Sequence, residues 1–357
     1  MRNELIDYVK ICMECRCKYC KDLCIGFIET RDIVCSPYGF YNLLFSRELG
    51  LIELDRKFAE RLYYCTMCGF CKYRCTTSLC TFYKKIVDTP FFIRKIRSHL
   101  VESNLLPISI GRILENLKKF NNPMGVSQDY LKQKAREGKT LFYIGESRYD
   151  ERNSRAANSA INILKLAKID FGILDKEVNS GHFALMLGDV GLFEELKEKN
   201  LSVFEKFEEI ITFSPHDFYT FREDYKLENV RHLVSVLEEL VSSGRIKVEK
   251  TNEVYIYKDP CYLGRYMGIF DEPRNLIESI AKTEEFYGNR FLALCCGGGS
   301  AHAWLNLKKK RRAASILAAE AEGRTVITAC PICTTMLEGE NLRVLNIAEA
   351  LEKVLKG

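Results

Sequence analysis

The distribution of cysteine constrains this 357-residue chain more than any other feature. Of sixteen cysteines, eleven lie within residues 12–80, five lie within residues 261–333, and none lies between. The N-terminus, MRNELIDYVKICMEC, lacks the apolar core of a secretion signal. Thiols stay reduced inside most cells, and a disulfide framework would be expected only in a hyperthermophile-type protein. Two separate metal-binding regions are therefore predicted.

The composition excludes several other classes of protein. Hydrophobic residues make up 47% and charged residues 28% of the chain, as is usual for globular proteins. The net charge of +5 is small and spread along the chain, which argues against nucleic acid as a partner. No stretch approaches the ~20 apolar residues that span a bilayer. We expect a cytoplasmic protein that meets the inner membrane face only through a partner.

The segment CTMCGFCKYRC has the spacing C-x2-C-x2-C-x3-C of bacterial ferredoxins, which bind [4Fe-4S] clusters. Its four thiols are those of Cys65, Cys68, Cys71 and Cys75. The fourth cysteine of such a run commonly reaches the other cluster in two-cluster proteins. A zinc ribbon is the alternative, but it usually takes two separated C-x2-C pairs.

The earlier segment, CMECRCKYCKDLC, predicts a second [4Fe-4S] cluster with a less regular ligand set. The last three places of the template are filled by Cys17, Cys20 and Cys24. Glu14 stands in the first place, so either Cys12 or Cys15 supplies the missing thiolate, or Cys12 and Cys15 lead and Cys17 is spare. Cys35 and Cys80 fit neither template and are expected to be buried or spare thiols.

The predicted fold is an α-helical two-cluster ferredoxin domain over residues 1–106, a connector over 107–137, and two α/β repeats with parallel sheets. The repeats cover residues 138–249 and 250–357. Helical spacing runs through YNLLFSRELGLIELDRKFAERLYY, with a break at Gly50, and through FFIRKIRSHLVESN. Strands are predicted at TLFYIG, DFGIL and EEIITFSP, and again at EVYIYKDP, FLAL and TVITAC.

The two repeats match in register, which indicates an internal duplication. Glu146 corresponds to Cys261, residues 179–181 to residues 295–297, and residues 214–217 to residues 330–333. The first repeat therefore has no cysteine at any of these positions and is expected to hold no cluster. Whether it binds anything through Glu146, His216 or Asp217 stays open.

The five C-terminal cysteines follow three predicted strands, at the sheet edge where open α/β proteins build their sites. They are Cys261, Cys295, Cys296, Cys330 and Cys333. Five thiols in one crevice exceed what one zinc ion or one ordinary cube requires. The alternative is a dithiol redox pair at Cys330 and Cys333 with the others in the core.

The segments DPCYLGRYMGIFDEPRNLI, NRFLALCCGGGSAH and TACPICTTMLE resemble the cysteine-rich CCG domain of heterodisulfide reductases. Together with the two N-terminal runs, the chain is similar to the D-type subunit of that family and to the iron–sulfur subunits of glycolate and lactate oxidases. The resemblance implies that the five cysteines bind one noncubane [4Fe-4S] cluster, at which a disulfide is reduced. It also implies cofactor contacts by Gly264, Gly297 and Gly298.

One departure from the family concerns the proton donor. The histidine that often follows the cysteine of DPC is Tyr262 here. His302 is a substitute donor or an ordinary loop histidine, and Arg265 and Arg274 either shape the pocket or form surface ion pairs.

Two functions follow from the resemblance. In the first, electrons cross two [4Fe-4S] cubes to a CCG cluster that reduces a disulfide or oxidises a dithiol. In the second, the chain only relays electrons, as the iron–sulfur subunit of a flavin-dependent 2-hydroxy-acid oxidase (glycolate or lactate oxidase) or of a similar respiratory complex. The expected redox partner is a flavoprotein, a ferredoxin-like protein or a membrane haem protein. An accessible CCG cluster would favour catalysis, whereas burial of the cluster under a partner would favour relay. A purely structural role for the metals is the third possibility.

Overall fold

A computed structural model describes residues 2–76, 87–127, 133–305, 312–338 and 342–356. Cys80 lies outside these described residues.

Seven helices precede the first sheet in the described residues. They are α1 (Arg2–Cys15), α2 (Ile25–Thr30), α3 (Pro37–Glu48), α4 (Arg56–Tyr63), α5 (Phe70–Arg74), α6 (Thr89–Glu102) and α7 (Ile108–Phe120). Gly50 has φ +71° between α3 and α4, so the predicted break is confirmed. Asp55 and Asp88 each cap the following helix by accepting a backbone N–H bond.

Helix α7 lies within the predicted connector over residues 107–137, which therefore contains a regular helix as well as turns. Its buried residues Ile110, Ile113, Leu114 and Leu117 recur at helical spacing. The turn residues of NNPMG act only at its end, where Asn121 adopts φ +59° and its backbone N–H bonds back to Leu117.

The first sheet is wholly parallel and has the strand order β2-β1-β3-β4. Its strands are β1 (Thr140–Tyr143), β2 (Phe171–Gly172), β3 (Glu209–Thr212) and β4 (Val230–His232). Its helices are α8 (Glu151–Leu166), α9 (His182–Leu187), α10 (Val190–Phe204), α11 (Pro215–Tyr219) and α12 (Leu233–Ser242).

The second sheet repeats this arrangement, with the order β6-β5-β7-β8 and parallel pairing throughout. Its strands are β5 (Val254–Tyr257), β6 (Lys282–Glu285), β7 (Thr325–Thr328) and β8 (Val344–Asn346). Its helices are α13 (Asp271–Ile280), α14 (Arg312–Ala321), α15 (Pro331–Leu337) and α16 (Ile347–Glu352). Two parallel sheets of the same order match duplicated α/β units.

One predicted strand is wrong, because FLAL (residues 291–294) is not a strand. The strand at this place is β6, whose sequence KTEE is polar and mostly exposed because it lies at the edge of the sheet. Residues 290–292 form a short 3₁₀ turn that leads toward Cys295 and Cys296. The predictions also missed β4 and β8, which are three residues long each.

Candidate metal centres

A cavity of about 30 Å³ lies between the two N-terminal cysteine runs. Six thiols line it, those of Cys12, Cys15, Cys17, Cys20, Cys71 and Cys75. Cys12, Cys20 and Cys75 all line this cavity, and burial followed by repulsion from the other two raises the pKa of Cys12. Cys15 Sγ is 3.9 Å from the Thr76 hydroxyl, which is also a hydrogen-bond partner of Cys17.

The last cysteine of the earlier run belongs to a different group. Burial, and then repulsion from Cys65 and Cys68, raises the pKa of Cys24. The same causes raise the pKa of Cys71, with a further contribution from Cys20. Cys24 therefore lies near the later run and Cys75 lines the cavity with the earlier one, an arrangement that suits an exchange of fourth cysteines between two clusters.

The five C-terminal thiols form one continuous, buried group. Cys333 Sγ donates to Cys296 Sγ at 3.4 Å, and Cys330 is a further hydrogen-bond partner of Cys333. Hydrogen bonds to Cys261 and Cys296 raise the pKa of Cys295. Each of the five side chains is between 1% and 6% exposed. The structure thus brings together the whole predicted set, although only Cys261 and Cys330 follow strands directly.

The later N-terminal group and the C-terminal group are in contact. A hydrogen bond to Cys295, followed by burial, raises the pKa of Cys68. Thr66 Oγ1 lies 3.9 Å from Cys295 Sγ, and Arg265 donates to Cys68 O at 2.8 Å and to Ala293 O at 2.7 Å. Three thiol groups therefore follow one another from the N-terminal helices to the second sheet.

The glycines after Cys296 serve close packing. Gly297 has φ +88°, a conformation that side chains disfavour. A Cβ on Gly298 would lie 2.5 Å from Ile332 Cγ2, and one on Gly299 would lie 2.3 Å from Thr66 O. A Cβ on Gly264 would likewise lie 2.5 Å from the Phe270 ring. The contacts seen at Gly264 and Gly298 are steric, and their predicted role toward a cofactor stays a prediction.

A buried cation, which the sequence reasoning missed, stands beside the C-terminal thiols. Lys258 is 2% exposed, and its Nζ donates to Asp259 O. Burial alone would lower the pKa of Lys258, but attraction to Cys333, Cys296 and the remaining thiolates raises it overall. The sequence feature that indicates Lys258 is a charged residue directly after the buried strand, in the segment YIYKDPC.

His302 does not face the thiols. Its Nε2 lies 2.8 Å from Tyr63 O, and burial lowers its pKa to about 4, so it is neutral at physiological pH. Arg274 pairs with Asp259 and Glu285, which makes it part of a buried ion pair and corrects the surface alternative. His302 is therefore an ordinary structural histidine.

The positions that correspond to the five cysteines are polar in the first repeat. Asn179 Nδ2 donates to Glu146 Oε1 at 2.9 Å, and Ser180 Oγ donates to Asp217 Oδ1 at 2.6 Å. Ser214 caps α11. Burial, and then repulsion from Glu146, raises the pKa of Asp217 well above its usual value. This hydrogen-bonded set is called the polar site below.

The first repeat meets the second at Tyr262. The Tyr262 ring lies 4.4 Å from that of His216 and 4.8 Å from that of His182, measured between centroids. Burial lowers the pKa of His216 to about 3. These aromatic contacts place the polar site next to the segment that carries Cys261.

The donor set and the cavity fit iron–sulfur clusters. Thiolate sulfur is their usual ligand, and the cysteines stand in groups of four or more around a cavity and a buried crevice. Within the described ranges, no three His, Cys, Asp or Glu side chains are arranged to hold a single metal ion.

Residues 255–338 match the family model of the cysteine-rich domain CCG. This part of the chain is therefore similar to the CCG domain, and relatives that match a longer part of the chain are named as iron–sulfur oxidoreductases. The relatives include the D-type subunit of heterodisulfide reductase, as the sequence motifs predicted.

Three relatives illustrate this class. The chain is 30% identical to a probable iron–sulfur-binding oxidoreductase, FadF, of Bacillus subtilis over 78% of this chain and 43% of the relative. It is 26% identical to the EtfAB:quinone oxidoreductase of Syntrophomonas wolfei, over 84% and 47%. It is 24% identical to the D-type subunit of the dihydromethanophenazine:CoB–CoM heterodisulfide reductase of Methanosarcina mazei, over 76% and 70%. The chain thus spans about half the length of the first two.

None of the helices in the described residues has the length and apolar character that crossing a membrane requires.

Proposed function

We propose that this chain is an electron-transfer iron–sulfur subunit of an oxidoreductase complex, with two [4Fe-4S] clusters and one noncubane cluster in sequence. The approach of the Thr66–Cys68 segment to Cys295, with Thr66 Oγ1 3.9 Å from Cys295 Sγ, carries the proposal, because it joins the N-terminal thiols to the C-terminal five. In this proposal, residues 1–106 form the two-cluster domain and residues 107–137 the connector. Residues 138–249 form the repeat without a cluster, and residues 250–357 form the repeat that holds one.

The ligand assignment follows from the thiol groups. The later cube would be held by Cys24, Cys65, Cys68 and Cys71, and the earlier one by Cys12, Cys17, Cys20 and Cys75. Cys17 is preferred to Cys15 because it occupies a template position, and both thiols share the Thr76 hydroxyl. The C-terminal cluster would be held by Cys261, Cys295, Cys296, Cys330 and Cys333, and these clusters supply one-electron transfer steps.

The surrounding residues suit such a relay. Lys258 places one positive charge against the C-terminal thiolates and offsets part of their mutual repulsion. The loop from Gly297 to Ala301 and the Thr66 segment exclude water from the sulfurs, because the side chains there are buried. Arg265 holds the Cys68 backbone and the segment before Cys295 at a fixed separation.

Two functions are candidates for the C-terminal cluster, relay of electrons to a partner subunit and reduction of a disulfide. Burial of the five thiols favours relay. Electron transfer does not need direct access of a substrate to sulfur, and these thiols are at most 6% exposed. The EtfAB:quinone oxidoreductase is a relative whose name describes such a relay. The partner would be a flavoprotein, a ferredoxin-like protein or a membrane haem protein. A membrane partner would also bring a cytoplasmic chain to the inner membrane face.

Disulfide reduction at the C-terminal cluster is the second candidate. It is favoured by the match to the D-type heterodisulfide reductase protein of Methanosarcina mazei, which the chain spans over 70% of the relative's length. In that reaction a disulfide takes up two electrons and two protons, its S–S bond breaks, and two thiols leave. A substrate would need the loop from Gly297 to Ala301 to open.

Iron and sulfide counts on anaerobically purified protein test the cluster content. About twelve irons per chain support three clusters, whereas about eight would contradict the C-terminal one. Cys20→Ser, Cys68→Ser and Cys333→Ser should each lose about four irons. Cys35→Ser is the matched control, because Cys35 lies outside the cavity and contacts Arg61.

Electron paramagnetic resonance then separates the two terminal chemistries. A signal that changes on adding thiols, together with turnover of a disulfide, would support reduction at the C-terminal cluster and overturn the relay proposal. A thiol-insensitive signal in a twelve-iron protein that passes electrons to an acceptor would support relay.

A further inference from the structure

The loop between α1 and α2 is the exposed end of the row of thiol groups. Cys17 is exposed at the surface, and its neighbour Lys18 lines the same cavity as Cys12 and Cys20. The C-terminal thiols at the other end of the row are buried. A protein that delivers electrons to the earlier N-terminal group would therefore approach closest over this loop.

This loop concentrates positive charge, although the charge of the whole chain is diffuse. Four exposed or half-exposed cations, here called the basic face, lie within four residues of Cys17 or Cys75 along the chain: Arg16, Lys18, Lys21 and Arg74. Two carboxylates occur in the same stretch, Glu14 and Asp22, and Asp22 is bound to Lys21 at 3.2 Å. The face thus keeps a net positive charge next to the exposed thiol.

Aromatic rings hold several of these cations in place. The Arg74 guanidinium lies 5.5 Å from the centre of the Tyr19 ring, and Lys18 Nζ lies 5.1 Å from that of Tyr38. Tyr19 is 50% exposed and Leu23 is 36% exposed, so apolar surface is available between the charges. Charged groups around a small apolar centre are typical of interfaces that form transiently.

We propose that the basic face is the docking surface for an acidic one-electron carrier protein. In the complex, the reduced carrier would give up one electron to the cluster that Cys12, Cys20 and Cys75 would help to hold, and no bond would form or break. Opposite charges steer such encounters and raise association rates by a factor of about 10 to 1,000 at low salt. The inference rests on the proposed function, because it requires a cluster behind the face.

The experiment uses the anaerobically purified full chain and a reduced plant-type ferredoxin as the acidic donor. Stopped-flow bleaching of the cluster absorbance gives the bimolecular rate constant, and calorimetry gives the binding constant independently of electron transfer. Arg16→Glu/Lys21→Glu, at two cations outside the cavity lining, is compared with Lys247→Glu/Lys250→Glu, which makes the same change in charge at exposed residues between α12 and β5. Arg74→Glu provides a second variant of the face.

The expected result is a loss of about tenfold or more in the rate constant and in binding for both face variants, and no such loss for the control. For the wild type, the rate constant should fall as salt is added. Equal losses in face and control variants, or a salt-independent rate constant, would overturn the inference. The face and control variants must have the iron content of the wild type and must be reduced by the neutral 5-deazariboflavin radical at the same rate. This separates weakened docking from loss of a cluster.

If the purified protein holds no iron, the proposed function is contradicted. The iron count shows this before any donor is added, so the two failures are distinguishable.

Discussion

Gly297, Gly298 and Gly299 differ in what each requires at the residue scale. Gly297 needs its positive φ, whereas Gly298 and Gly299 need the absence of a side chain against Ile332 and Thr66. The sequence of three glycines indicates only a turn here, and the structure adds a close contact with the N-terminal region. Only the fold reveals Thr66 as the neighbour, because it is more than 200 residues away.

Gly299→Ala should therefore displace this loop from the Cys65–Cys68 segment. The added methyl group would lie 2.3 Å from Thr66 O, and overpacking of this kind costs about 1–3 kcal/mol. We expect a loss of about four irons, measured by iron analysis, with the N-terminal clusters retained. Gly111→Ala is the control, since no atom lies within 4 Å of its added Cβ and α7 should gain stability. Full iron content in Gly299→Ala would contradict the prediction.

At the scale of elements, the two sheets share strand order while their carboxyl edges differ in chemistry. The polar site pairs Glu146 with Asn179 and Ser180 with Asp217, so each replaced thiol position still has a partner in the interior. These hydrogen bonds link the turns at the edge of the first sheet.

Asp217→Asn tests this pairing through pH. Because burial raises the pKa of Asp217 in the folded state, ionising it costs more there than in the unfolded chain, by about 1.4 kcal/mol per unit of pKa. This penalty is absent below the ordinary pKa of 3.8 and grows as pH rises toward the folded pKa. The melting temperature of the variant should therefore gain on the wild type between pH 5 and pH 8. A constant difference, or the same trend in the exposed Asp170→Asn, would refute it.

The sequence predicts most elements, and the misses have physical causes. Strand FLAL was expected because it is apolar, but the strand is the polar edge strand β6. Helix α7 was hidden by the turn residues that end it. Convergence of Cys261 and Cys330 followed from the rule for parallel strand ends, whereas Cys295 and Cys296 reach the same crevice after a 3₁₀ turn. Lys258 and Arg265 act through contacts between distant segments that periodicity does not encode.

At the scale of the whole molecule, one buried side chain ties the thiol-bearing regions together. Arg97 on α6 donates to Leu62 O and Cys65 O, to Met186 O in the first repeat, and to Ser300 Oγ in the second. Arg152 of the first repeat forms ion pairs with two carboxylates of the second, Glu338 at 2.9 Å and Glu349 at 2.6 Å, and so joins the two repeats.

Arg97→Met should weaken the whole assembly. The change leaves buried carbonyl groups without a donor, and losing hydrogen bonds to one charged group costs at least about 3 kcal/mol. We expect a clear drop in melting temperature by differential scanning fluorimetry, and a changed cluster spectrum because Cys65 O loses its donor. The exposed Arg155→Met is the control. A wild-type melting temperature in Arg97→Met would contradict the prediction.

The position of Arg97 also bears on how the chain can be divided. A fragment that ended at residue 106 would keep all the N-terminal cysteines in the described residues, yet its fully buried guanidinium would lose Met186 and Ser300 as partners. The surface of Thr66 and Cys68 that faces Cys295 would become open to water and oxygen. The N-terminal, cysteine-bearing part of this protein is therefore not a detachable module, and exchanging it with a stand-alone ferredoxin would require rebuilding its contacts with both repeats.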